Sequence, residues 1–462
     1  MRSPLAFTFA FALVISPALL ACGDNIEGDD GTDDDGADDG SDDGGDDAPS
    51  DACGDIEGTC IELSPGDDDQ GALQTALIEA QPGDVILLRA GTYSFTGGLS
   101  LDVAGVTLRG EGEAETVLSF AGQTEGAEGL LVTADDFTCE ELAVEDTVGD
   151  AIKVVGADNV VFRGVRTEWT GEASDENGAY GIYPVQCSDV LIEDSIVRGA
   201  SDAGIYVGQS MRAVVRRNTV EGNVAGIEIE NTNGADVYEN TATGNTGGIL
   251  VFNLPGLELA NGVGTRVYDN EIFENNGENF AAPGTTVSQV PPGTGLIALA
   301  AHEVEVFNNT FSNNQTAQIG IISYQITLTA FDDEDYIPFP DTLFFHDNTF
   351  EGGGDNPSGL LGSLVLGPVS EGLGLDAVPD IVIDGNYDPE KVGKDGELTA
   401  EFAICLADNE GADFMSLGFS CTADPEACMA VLLNDLVPTQ DTTPHDCTHE
   451  PLEPVVLDGV DL

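Results

Sequence analysis

Gly181-Ile182-Tyr183-Pro184, Gly204-Ile205-Tyr206-Val207, Gly226-Ile227-Glu228-Ile229 and Gly248-Ile249-Leu250-Val251 are four versions of one pattern, returning about every 22 residues. A second pattern runs between them: Ile192-Glu193-Asp194-Ser195, Val215-Arg216-Arg217-Asn218 and Val237-Tyr238-Glu239-Asn240. Self-similarity at so short a period marks a solenoid, whose repeats bury their apolar faces only against their neighbours. Within each unit apolar and polar residues alternate, a period of two, so the units are strands. Short strands with Gly and Asn corners, stacked about 4.8 Å apart, predict an all-β parallel β-helix of roughly ten rungs.

Aligning the Gly-Ile strand puts Gly129, Ala151, Gly181, Gly204, Gly226, Gly248, Gly295, Gly320 and Gly359 in one column. The other strand gives Leu142, Val165, Ser195, Asn218, Asn240, Asn270, Asn309 and Asn348, whose asparagines predict an internal ladder from rung to rung. Extra residues enter around the Gly-Ile strand at Glu168–Gly178, Asn253–Gly264, Asn276–Pro292 and Tyr324–Asp341. Insertions on a solenoid become surface loops, often around a binding face.

The outward face of that strand is therefore predicted to be a groove floor. With Ile182, Ile205, Ile227 and Ile249 pointing in, Lys153, Tyr183, Tyr206, Glu228 and Glu230 point out. Asp202 lies at the edge, and Glu168–Gly178 and Asn253–Gly264 are the expected walls. Tyrosines beside carboxylates and a lysine suit a sugar chain; the same rings could instead only stiffen the sheet. An outward Tyr206 ring is expected to add little to the core. Lys153, Arg163, Arg166, Arg198, Arg212, Arg216 and Arg217 fall within a few rungs, either as a patch for a uronate chain or as partners for nearby acids.

Compartment is legible at the ends. Residues 1–22 read as an export signal, with Arg2, an apolar run from Pro4 to Leu20 and the close Leu19-Leu20-Ala21-Cys22. Residues 23–58 are nearly all Asp, Gly and Ser, a disordered acidic tether that cannot bury enough surface to order itself. Calcium is a possible ligand for its acids; no other cofactor or metal is expected. The β-helix is assigned to 59–385, capped by a helix at Ala72–Ala80, with a Cys-containing tail at 386–462. With 85 Asp+Glu against 13 Lys+Arg, net −72, nucleic acid is excluded as a partner. Of nine cysteines, Cys53 and Cys60 are expected to pair, Cys405, Cys421, Cys428 and Cys447 to staple the tail, and Cys139 to sit in the core.

Several stretches resemble known families. Leu19-Leu20-Ala21-Cys22 resembles a bacterial lipobox, which implies that Cys22 is lipidated and anchors the exported protein to the cell envelope. The helix-to-strand opening resembles the N-terminal cap of the pectin-lyase-like right-handed β-helix superfamily, which implies that hand. Tyr180-Gly181-Ile182-Tyr183-Pro184-Val185 is similar to the active-site segment Tyr-Gly-Phe-Asp-Pro-His of mannuronan C5-epimerases. Here Tyr183 replaces the Asp and Val185 the His, so only Tyr180, with Asp202 as a carboxylate partner, is left to carry acid–base chemistry. The repeat also resembles that of periplasmic copper-assembly accessory proteins. Three functions follow: polysaccharide binding by a tethered β-helix, a lyase or epimerase with a rebuilt site, and a copper-assembly accessory role. The last predicts His, Met or Cys on the groove, where there is none.

Overall fold

The computed structural model describes residues 53, 58–422 and 424–460. The expected signal, Cys22 and nearly all of the acidic tether lie outside them.

The chain winds as a right-handed parallel β-helix. One sheet holds eleven parallel strands, among them Tyr180–Val185, Ala203–Gly208, Ala225–Glu230, Gly247–Phe252 and Thr294–Leu299. Its register pairs Ile182 with Ile205, Ile205 with Ile227, and Ile227 with Ile249. All four isoleucines are fully buried in the interior, as alternation requires. The other two faces share two long strands, Phe137–Glu145 and Asp158–Glu168, which pair with both. Downstream rungs split these into separate strands at a corner.

That corner is built the same way in rung after rung. Asp194, Arg217, Glu239, Asp269, Asn308 and Asp347 all take left-handed backbone, with φ between 53° and 55°. The next residue is the ladder residue. Asn218 donates to Asn240, Asn240 to Asn270, Asn270 to Asn309 and Asn309 to Asn348, each at 2.9–3.0 Å, and Asn348 to Asn409 at 3.1 Å. Each bond satisfies a buried amide that would otherwise lack a partner. Asn223, Asn245, Asn275 and Asn314 form a second ladder at the next corner, ending on Gln318. Its signal, an asparagine five residues after Asn218, Asn240, Asn270 and Asn309, stood in the sequence.

Two members of the glycine column are corrected. Gly320 pairs with Ile297, so Gln318 holds the place opposite Gly295; Gly359 opens a short helix rather than a strand. A side chain is barely tolerated in that column. A Cβ at Gly226 would lie 2.5 Å from the Gly248 carbonyl and 3.0 Å from Asn245.

The cap is the helix Asp69–Glu79, three residues earlier than expected at its start. Asp68 accepts from the Gly71 amide at 3.0 Å, and Leu73 and Leu77 close the end of the core. At the other end the β-helix runs past residue 385, because Ile404–Ala407 and Phe414–Ser416 each add a strand. Cys53–Cys60, Cys405–Cys447 and Cys421–Cys428 are bonded, and Cys139 and Cys187 are free and buried. Among the described residues no helix is long and apolar enough to cross a membrane.

Candidate functional site

Strand register brings the predicted outward residues into one column. Lys153 pairs with Tyr183, Tyr206 with Glu228, Glu228 with Leu250, and Leu250 with Ile297. Along the helix axis this column passes from charged, through aromatic and acidic, to apolar.

The middle of the column is not an open floor. Tyr206 is 4% exposed and Glu228 2%, and Tyr206 belongs to a second apolar cluster outside the sheet. The insertions at 276–292 and 324–341 supply it, through Phe280, Val287, Val290, Tyr324 and Tyr336. Tyr336 donates to the Asn253 carbonyl at 2.6 Å, which pins one insertion to another. These loops carry apolar residues, and burying them outweighs leaving the sheet face wet. Asn253–Gly264 does stand at the edge: Asn231 donates to its Leu254, Leu259 and Ala260 carbonyls, and Gln186 to Glu258. Glu168–Gly178 instead turns Trp169 into the interior, with its indole N–H on the Thr147 carbonyl at 2.7 Å.

Tyr180, Tyr183 and Tyr206 form a triangle of rings with centroids 4.4–4.9 Å apart. Tyr206 donates to Glu230 at 2.6 Å. Glu228 Oε2 is buried with no N–H or O–H donor in reach, while its carboxyl shares a hydrogen bond with Glu230. Both facts fit a protonated Glu228 donating to Glu230, and not a carboxylate. Burial, then the charges of Glu230 and Asp202, raise Glu228 well above the usual carboxylate range. Glu230 is raised by burial, against the hydrogen bonds from Tyr206 and Glu228. Asp202 is pushed to about 7 by burial and by Glu230, although Tyr180 hydrogen-bonds it.

The column opens at its N-terminal end. Tyr180, Tyr183, Asp202 and Lys153 are half-buried. The Lys153 ammonium lies 4.6 Å from the Tyr183 ring centroid and 3.3 Å from Asp150. Burial raises Tyr183 to about 12 and lifts Tyr180 well above its ordinary value, so both phenols hold their protons.

The arginines do not join this site. On the second face Arg109, Glu140, Arg163, Glu193 and Arg216 stand in register as one charge-alternating column. Glu193 takes Arg163 at 2.6 Å, Arg216 at 2.7 Å and Arg217 at 2.6 Å. The column continues as stacked rings, Tyr238, Tyr268, Phe307 and His346, with centroids 4.7–5.2 Å apart. Charge balance is thus the reading of the arginines that the geometry supports.

Fold and site together define a right-handed parallel β-helix with a partly covered polar face. The model of the family described as periplasmic copper-binding protein (NosD) matches residues 97–329, half of the chain, and the protein belongs to that family. No curated protein matches it. Among solved structures, the A-module of the mannuronan C-5 epimerase AlgE4 of Azotobacter vinelandii is similar at 18% identity and TM-score 0.49, over 75% of this chain and 91% of that one. The exopolygalacturonase of Thermotoga maritima is similar at 11% identity and TM-score 0.47, over 71% and 87%.

The residues present do not fit a copper ion. His302 is held by Asp341, His346 by Glu305 and Asp347, His445 by the Ile404 carbonyl and His449 by the Ala403 carbonyl. Among the described residues, no group of three or more His, Cys, Asp or Glu is placed to hold a metal. Three disulfides are consistent with export, as is the family's periplasmic description.

Proposed function

We propose that this protein binds an acidic polysaccharide at the open end of the column, held to the envelope by the lipidated Cys22. The observation that carries the reading is Lys153 beside the half-exposed rings of Tyr183 and Tyr180. Lys153 is the single Lys or Arg in the eleven strands of its sheet. It offers a point charge to a uronate, the tyrosine faces offer stacking to a sugar ring, and a protonated Asp202 offers a donor where an ionised one would repel.

Titrating the soluble domain with a uronate polymer and with a neutral glucan tests this. Uronate binding is expected, at least tenfold weaker in Lys153→Ala and Tyr183→Ala, and weaker as pH rises through 7 and Asp202 ionises. Equal binding of both polymers, or variants that bind as the parent does, would remove the proposal. The anchor is tested apart from the glycan: Cys22→Ser should release the protein from membranes, and a variant that stays bound contradicts lipidation.

A second reading rests on the Tyr180–Asp202 hydrogen bond, since a carboxyl near pH 7 is matched to general acid–base work. It meets an obstacle. Tyr180 is raised by burial and by three nearby carboxyls, so it serves as a proton donor and not as the base that abstraction at C5 needs. Exchange at C5 from heavy water, or unsaturated products from a uronate polymer, would establish this reading over simple binding.

A further inference from the structure

The same sheet face carries a second, chemically opposite feature at its C-terminal end. Beyond Glu228 and Glu230 the two outward columns become Leu250, Ile297 and Phe252, Leu299. Phe252, Ile297 and Leu299 form the floor of a cleft of about 610 Å³. Its walls come from segment 286–292, the turn at 326–328, the helical stretch at 359–365 and the helix Pro425–Asn434. That last helix is fixed by Cys421–Cys428 and capped by Asp424 on the Ala427 amide at 3.1 Å.

The volume falls within the range of small-ligand sites, roughly 300–1,000 Å³. The cleft is walled by four separate segments, which suits a small ligand and not the broad flat face of another protein. At its rim Leu360 is 69% exposed and Leu433 56%, a local density of bare leucine that a soluble surface seldom leaves without a use. Charge narrows the occupant. Among the described residues no Lys or Arg lines the cleft, and the one charged lining residue is the exposed Glu278, on a chain of net charge −72. A carboxylate or phosphate head would find repulsion and no partner. Asn279 is spent on the Val287 and Val290 carbonyls and the Ala281 amide, but the Ser288 hydroxyl and the Gln289 amide line the cleft and can hydrogen-bond an uncharged one.

We propose that this cleft binds the aliphatic chain of a lipid with an uncharged, hydroxyl-bearing head. The site is separate from the glycan patch and stands or falls without it.

The test is displacement of Nile red from the purified full chain by monopalmitin, with palmitate at pH 8 as the anionic counterpart. Monopalmitin is expected to displace the dye, and palmitate to need at least tenfold more. The double variant Leu360→Glu with Leu433→Glu changes only exposed side chains; it should raise the monopalmitin requirement at least tenfold while the Tm stays unchanged. Three results would overturn the proposal: no displacement by monopalmitin, equal potency of palmitate, or a double variant that binds as the parent does. A parent that is dimeric, becomes monomeric in the double variant and shows no lipid displacement would assign the cleft to a second copy, against the proposal.

Discussion

Glu193 and Glu228 occupy comparable places, each on an outward column of the same β-helix, each almost fully buried. Their chemistry is opposite. Burial would raise Glu193, but hydrogen bonds from Arg163, Arg216 and Arg217 outweigh it and hold the carboxylate below its usual range. Among the described residues no cation is paired with Glu228, and burial and acidic neighbours keep its proton on. The difference teaches that in so acidic a chain the fate of a buried carboxyl depends on where the few cations stand. The arginine column builds a rigid, ionised face; the tyrosine column builds a face whose acids are neutral donors.

The largest expected effect is on the tyrosine side. Tyr206→Ala removes a ring from the outer cluster and leaves Glu230 without its tyrosine donor. A loss of about 3–5 kcal/mol is expected in denaturant unfolding. This reverses the expectation that an outward Tyr206 ring adds little to the core, because the insertions have made the outside a second core. A change under about 1 kcal/mol would mean that the loops do not close over the sheet.

On the arginine side, Glu193→Ala leaves three guanidiniums clustered around an empty place. The expected cost is about 3 kcal/mol, somewhat reduced by the exposure of Arg163 and Arg217, and by high salt. If Glu193→Ala costs no more than a surface substitution, the charge column is ornamental to stability.

The two faces should also titrate with opposite sign. Asp202 is raised from 3.8 to about 7, so the folded state binds a proton that the unfolded state has released. Its contribution is full below the unfolded pKa and is lost as pH rises toward and through 7. Glu193 is lowered, so its contribution is present above the unfolded pKa and is lost as pH falls below it. The Tm is expected to decline between pH 5 and pH 8, and Asp202→Asn to flatten that decline. A Tm that climbs over this interval would contradict the assignment.

The inward half of the molecule was legible because it repeats. Ile205 and Ile227 must face in, or Tyr206 and Glu228 would take their place in the interior, and the ladder from Asn218 to Asn348 follows from one corner chemistry used again and again. The column slipped at Gly320, where Gln318 stands in the glycine position and the eye takes the next glycine along. The aromatic column through Tyr238, Tyr268, Phe307 and His346 was readable too, since each lies two residues before a ladder asparagine. What the sequence could not reveal is where the insertions go. Phe280, Val287 and Tyr336 announce that their loops bury something, but loops have no period, and nothing local says that they fold over the tyrosines instead of standing beside them.

The smallest thermodynamic effect gives the sharpest test of the central contrast. Glu228→Gln replaces one neutral hydrogen-bond donor by another, and is expected to change stability by less than about 1 kcal/mol. Infrared difference spectroscopy of the parent against this variant at pH 7 reads the carboxyl directly. The account predicts a protonated-acid C=O band in the parent that disappears in Glu228→Gln. A carboxylate band in its place, with the variant markedly more stable, would show that Glu228 is ionised and that the tyrosine face is a strained anionic site instead of a neutral donor face.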